Sequence, residues 1–226
     1  DGYRHATYRE VGKQAARLAH ALRRLGIEGD DRVATFMWNN QEHLEAYVAV
    51  PSMGAVLHTL NIRLFPEQIE FVAYEAEDRV VIADLSLAPI LGPLLHRLET
   101  VHTVIAVGEG DLAPFEASGK NVLRYHEITA AESDEFDWPV IDENSAAAMC
   151  YTSGTTGHPK GVVYGHRSSY LHSMAVCSGN GLGLSFSDKA LPIVPMFHAN
   201  AWGLPYAALM AGADLVLPDR HMDATS

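Results

Sequence analysis

The chain has 226 residues, which suits one large domain or two small ones, and 48% of it is apolar, enough to build a core. Its formal net charge of −12 argues against a nucleic-acid partner, which needs a basic face to neutralise phosphates. The two cysteines, Cys150 and Cys177, form no CxxC pair and fit a reduced, cytoplasmic setting, and no apolar run approaches the ~18 residues of a membrane span.

In chain order, Thr7 and Glu10 form a capping box, and Val11, Ala15, Leu18, Ala19, Leu22 and Leu25 recur behind them at helical spacing until Gly26. Residues 32–37 read as a strand, and 41–53 as a helix kinked or shortened at Pro51. A buried strand is expected over 55–60, then a helix over 66–75 with proline in its first turn. The β-branched run 80–83 ends at Asp84 as a strand would, 86–98 is expected to be helical, and 101–107 returns to strand. Residues 108–121 and 132–143 dissolve into turn-forming and acidic residues and read as surface loops. The apolar run 146–151 is a strand, and another is expected at 191–194. Strands alternating with helices predict an α/β fold with a largely parallel sheet.

The chemistry-bearing segment follows the strand at 146–151. Thr152, Ser153, Thr155 and Thr156 interleave with Gly154 and Gly157, and Pro159 and Lys160 follow. Glycines let a backbone turn so tightly that several N–H groups point at one anion. Hydroxyls donate to phosphate oxygens or ligate a cation, and a lysine offsets phosphate charge. A GxxxxGK[ST] spacing is missing, so this is not a Walker A loop. A second constellation, Pro195-Met-Phe-His198-Ala-Asn-Ala-Trp202-Gly203, offers a histidine able to orient a carboxylate. If a helix begins at His198, Trp202 shares its face; a core aromatic is the plainer alternative. His5, His20, His43, His96 and His126 carry no motif around them. His166 and His172 lie six apart without a CxxC or HExxH, which argues against structural zinc.

The run YTSGTTGHPKGV at 151–162 resembles the signature loop of the adenylate-forming superfamily, which includes acyl-CoA synthetases, luciferases and peptide-synthetase adenylation domains. The segments 32–40, 43–61 and 66–68 are similar to medium- and long-chain fatty acid ligases, so the resemblance covers nearly the whole chain. His158 stands at a variable loop position and Gly165 where a serine is common. The resemblance implies that Thr152, Ser153, Gly154, Thr155, Thr156, Gly157 and Lys160 bind the β- and γ-phosphates of ATP, and that Thr155 or Thr156 helps ligate Mg2+. It further implies that His198 lies near the acyl carboxylate and that Trp202 borders the acyl path. Residues 1–226 would then be part of an N-terminal AMP-binding domain whose sheets are sandwiched by helices. The adenine- and ribose-binding motifs, the hinge and the C-terminal domain would lie outside it, and the chain alone would be inactive. The implied reaction joins a fatty acid to CoA through an acyl-AMP. Transfer to a carrier protein, or a non-catalytic folded fragment, are the rival readings. A homodimer and peripheral contact with a membrane remain compatible with the resemblance.

Overall fold

The computed structural model describes residues 4–152 and 159–221. Helix α1 (Tyr8–Arg24) starts at the expected capping box: the Thr7 hydroxyl accepts from the Glu10 amide at 3.2 Å, and the Glu10 carboxylate accepts from the Thr7 amide at 2.7 Å. Strand β1 (Arg32–Phe36) leads to α2 (Gln41–Ser52), in which Pro51 sits in the final turn and cannot donate to the Tyr47 carbonyl, which accepts from the Tyr206 hydroxyl at 3.1 Å instead. Then come β2 (Val56–Thr59), α3 (Pro66–Glu75) and β3 (Asp78–Asp84).

The helix expected over 86–98 is broken. Only α4 (Ala88–Leu91) is α-helical, between tighter turns at Leu85–Leu87 and Gly92–Arg97. Pro89 and Pro93 interrupt the hydrogen-bond ladder, and Gly92 lies so close to Pro114 that a Cβ there would stand 2.6 Å from its carbonyl oxygen. After β4 (Thr103–Val107), the expected loop at 108–121 contains α5 (Ala113–Glu116) and runs into β5 (Asn121–Arg124) and α6 (Tyr125–Ala130). The remaining elements are β6 (Ala146–Thr152), β7 (Lys160–Gly165), α7 (His166–Cys177), β8 (Lys189–Ala190), α8 (Leu204–Ala211) and β9 (Asp214–Leu215).

The main sheet has the order β5-β4-β3-β1-β2-β6-β7, and every neighbouring pair is parallel except the hairpin β6–β7. Alternate side chains feed two cores. Ala34, Phe36, Val81, Ala83, Val104 and Ala106 pack with Ile69, Val72, Leu91 and Phe115 on one face. Val33, Leu57, Val80, Ile82 and Ile105 pack with Leu18, Leu22, Tyr47 and Val50 on the other. β1 sends its chain to α2 on one face, and β3 sends its chain to α4 on the opposite face. Their carboxyl ends therefore flank a topological switch point, where open α/β sheets bind ligands. No helix among the described residues is long and apolar enough to cross a membrane.

Because the α1 cap satisfies backbone donors at an exposed helix start, Thr7→Ala is expected to cost about 1 kcal/mol. Urea unfolding of the two forms checks this value.

Candidate active site at the carboxyl edge of the sheet

Thr152 ends β6 and Lys160 begins β7, and the two residues are paired directly across the hairpin. Both are exposed, whereas Pro159 beside the lysine is buried. The connection between them carries Ser153, Gly154, Thr155, Thr156, Gly157 and His158, which lie outside the described residues. The hairpin leaves the carboxyl end of β6, so its mouth stands on the same edge of the sheet as the ends of β1, β2 and β3.

The second constellation reaches that edge by a route its hydropathy did not foretell. The strand expected at 191–194 does not form. β8 is confined to Lys189–Ala190, and Ile193 is 71% exposed. Pro192 and Pro195 remove backbone donors that a ladder would need. The segment is held instead by Asn39, a fully buried residue just beyond β1. The Asn39 amide donates to the Pro192 carbonyl at 2.9 Å and to that of Val194 at 3.4 Å, while its oxygen accepts from the Met196 amide at 2.7 Å. Tyr47 of α2 donates its hydroxyl to the Met196 carbonyl at 2.5 Å, and Asn200 donates to the same hydroxyl at 3.3 Å. Phe197 is buried against the edge of Trp38, with the Arg63 guanidinium 5.7 Å from its ring centre.

His198 follows, exposed, and the chain then makes a left-handed turn. Ala199, Asn200, Ala201 and Trp202 have φ values of 44°, 50°, 49° and 60°, and Gly203 has 67°. Such a run costs roughly 1–2 kcal/mol per non-glycine residue and persists only where its surroundings hold it. Holding contacts are present. His172 of α7 meets the Trp202 carbonyl at 2.8 Å, and the Ala199 backbone lies against the Cys150 thiol of β6. Gly203 is required twice, by its positive φ and because a Cβ would come within 2.8 Å of His172. The helical spacing expected between His198 and Trp202 is therefore overturned. Trp202 is 69% exposed, so it is not a core aromatic either.

The Cys150–Ala199 contact joins the two motifs: it lies two residues before Thr152 and one after His198. Sequence reasoning missed the residues that hold this arrangement, Asn39, Tyr47, Cys150 and His172. Only the polar pair at Asn39 and Asn40, directly after an apolar strand, hinted at it.

Burial sets the charge states of the supports. His43 donates Nδ1–H to the Trp38 carbonyl at 2.8 Å and accepts at Nε2 from the Thr35 hydroxyl at 2.9 Å, and its pKa is pushed down to about 4 by desolvation. It is neutral at ordinary pH and structural in its bonding. Asp84, at the end of β3, receives the Trp38 amide at 2.8 Å and the Asn40 side chain at 3.2 Å, and burial raises its pKa to about 7. Among the described residues no group of His, Cys, Asp and Glu is arranged to hold a metal ion.

A family model described as AMP-binding enzyme matches residues 1–226. The chain belongs to the AMP-binding enzyme family. It is 45% identical over 219 residues to a medium-chain-fatty-acid–CoA ligase of Ectopseudomonas oleovorans, covering 97% of this chain and 40% of that protein. It is 47% identical over 221 residues to a long-chain-fatty-acid–CoA ligase of Thermus thermophilus, covering 97% and 39%. A 3-methylmercaptopropionyl-CoA ligase of Ruegeria lacuscaerulensis is 44% identical over 218 residues, covering 95% and 40%. The solved fatty acyl CoA synthetase of Mycobacterium tuberculosis superposes with a TM-score of 0.78 at 26% identity, over 93% of this chain and 38% of that one. The chain spans about 40% of the length of the curated relatives it matches.

Two outcomes follow from these supports. Asn39→Ala leaves the buried Met196 amide without its acceptor, and is expected to cost roughly 1–3 kcal/mol of stability in urea unfolding. The Asp84 carboxyl, raised to about 7 from 3.8, favours the fold most when protonated. Its contribution is full below the ordinary carboxylate range and is lost as pH rises towards 7. Asp84→Asn should therefore flatten the fall in stability between about pH 4 and pH 7, read as melting temperature against pH.

Proposed function

We propose that this chain forms the phosphate- and acyl-facing part of an ATP-dependent fatty acid–CoA ligase. The observation that carries the reading is the hairpin mouth. It sets an exposed hydroxyl, Thr152, opposite an exposed cation, Lys160, on the edge where the His198 turn is held against β6. Membership of the AMP-binding enzyme family and the acids named for the relatives support it.

In this reading a fatty acid carboxylate attacks the α-phosphate of ATP and expels pyrophosphate, giving acyl-AMP. The thiol of CoA then attacks the acyl carbon and AMP leaves. Lys160 and Thr152, with Ser153, Gly154, Thr155, Thr156 and Gly157 from the connection, hold the β- and γ-phosphates. A fixed cation beside the departing pyrophosphate counts most as charge develops there. His198 orients the carboxylate, and Trp202 borders the path of the acyl chain. The exposed Thr152 and Lys160 suit a phosphate ligand, and the Thr155 or Thr156 hydroxyl is the proposed protein ligand for Mg2+, which would spread the phosphate charge.

A shorter, sulfur-containing acid is the competing substrate, because a relative named for 3-methylmercaptopropionyl-CoA is almost as similar as the fatty acid ligases. Carboxylate-dependent ATP–pyrophosphate exchange in the full-length protein separates the two. Octanoate and palmitate are expected to drive exchange and 3-methylmercaptopropionate to do so poorly, with the reverse order replacing the substrate class. No exchange with any acid would defeat the ligase reading. Lys160→Ala should slow single-turnover formation of acyl-AMP by the equivalent of ~2–4 kcal/mol, the scale of losing one preorganised charge stabiliser. An unchanged rate removes the lysine from that role.

A further inference from the structure

At the base of the phosphate hairpin, one residue inside Thr152 and Lys160, Tyr151 is paired with Gly161. The Tyr151 ring lies across the glycine. A Cβ at position 161 would stand 3.2 Å from Cζ of the ring and 3.4 Å from its hydroxyl oxygen. The absence of a side chain at Gly161 is what lets the ring settle on the opposite strand. Tyr151 is 8% exposed, and the Glu75 carboxylate at the end of α3 lies beside its hydroxyl.

The ring is supported from the sheet by His58 of β2, with ring centres 5.2 Å apart and planes at 51°. His58 is itself anchored. Its Nδ1 lies 2.8 Å from an Asp78 carboxylate oxygen, and both side chains are fully buried. Asp78 belongs to β3, and β1 runs between the two strands, so the histidine reaches across it. Ala34, the β1 residue paired with His58, presents only a methyl group there. Among the described residues His58 Nε2 has no hydrogen-bond partner, so the hydrogen bond to Asp78 orients the imidazole.

A buried His–Asp pair is a poor way to fill volume. An apolar pair of the same size avoids the desolvation cost, so stability alone does not account for a buried His–Asp pair. Here the pair's geometry ends on one object, the ring at the foot of the hairpin. We propose that Asp78, His58 and Tyr151 form a positioning pillar, packed against Gly161, that keeps Thr152 and Lys160 in register across the mouth of the phosphate hairpin. None of the three is offered as a group that touches substrate. The pillar rests on the phosphate-binding reading only for its purpose; the packing stands apart from it.

The test compares the full-length protein with Gly161→Ala, Tyr151→Leu and the double variant. Two readouts are taken: MgATP affinity by calorimetry, and hydrogen exchange of the amides of residues 160–164 against those of β3 and β4. Gly161→Ala is expected to weaken MgATP about tenfold and to speed exchange in the hairpin alone, whereas in the Tyr151→Leu background it changes either readout less than about twofold. Equal effects in the two backgrounds, or exchange rising equally in β3 and β4, would overturn the pillar. His58→Phe combined with Asp78→Asn leaves no unpaired buried charge and should also speed hairpin exchange; unchanged exchange would remove the buried pair from the proposal. If the unaltered protein binds no MgATP, the exchange cycle still decides the pillar, and only the phosphate reading falls.

Discussion

Asn39 does with one side chain what a neighbouring strand would otherwise do for the segment ahead of His198. That segment cannot join a ladder, since two of its residues are prolines, yet its carbonyls and amide are drawn to the interior edge of the sheet. A carboxamide both donates and accepts, so a single buried Asn satisfies the Pro192 and Val194 carbonyls and the Met196 amide together. Everything C-terminal to that pin inherits its position. Phe197 is seated against Trp38, the Met196 carbonyl meets Tyr47, and the left-handed turn is delivered to Cys150 and His172.

The pin works because the sheet places it at a switch point. β1 and β3 send their helices to opposite faces, which opens a gap at their carboxyl ends. The residues lining this gap are polar but buried: Asn39, Asn40, His43 and Asp84. Each has its partners, and the charged forms are disfavoured, with His43 held neutral and the carboxyl of Asp84 pushed upward by burial. Beside these buried supports the exposed Lys160 presents a cation at the hairpin mouth, within a chain whose net charge is −12.

Legibility in the sequence followed the strength of local signals. The capping box at Thr7 and Glu10 and the heptad-like apolar face behind it left little room for anything but α1, and the β-branched run before Asp84 marked β3. Where two local signals compete, hydropathy misled. The apolar run at 191–194 looks like a strand, but its prolines decide otherwise; the run at 86–98 looks like one helix, but Pro89 and Pro93 divide it. β5, α6, β7, α7 and α8 were expected nowhere: β5 is a four-residue edge strand, too short to show a period, and α7 buries only Ser173 and Val176, so it carries no apolar stripe.

By itself, the sequence determined the α/β class, the strands β1 to β4 and β6, the helices α1 to α3, the identity of the hydroxyl-, glycine- and lysine-bearing connection, and the family. These depend on neighbours within a few residues, where periodicity, capping and turn chemistry act. Only the tertiary structure decided that Asn39, 153 positions before Pro192, governs the second motif, that residues 199–202 wind left-handed, and that Tyr151 rests between His58 and Gly161. These depend on groups far apart in the chain, brought together by strand order and burial. A polar side chain reveals its role only once the atoms it must satisfy are in place.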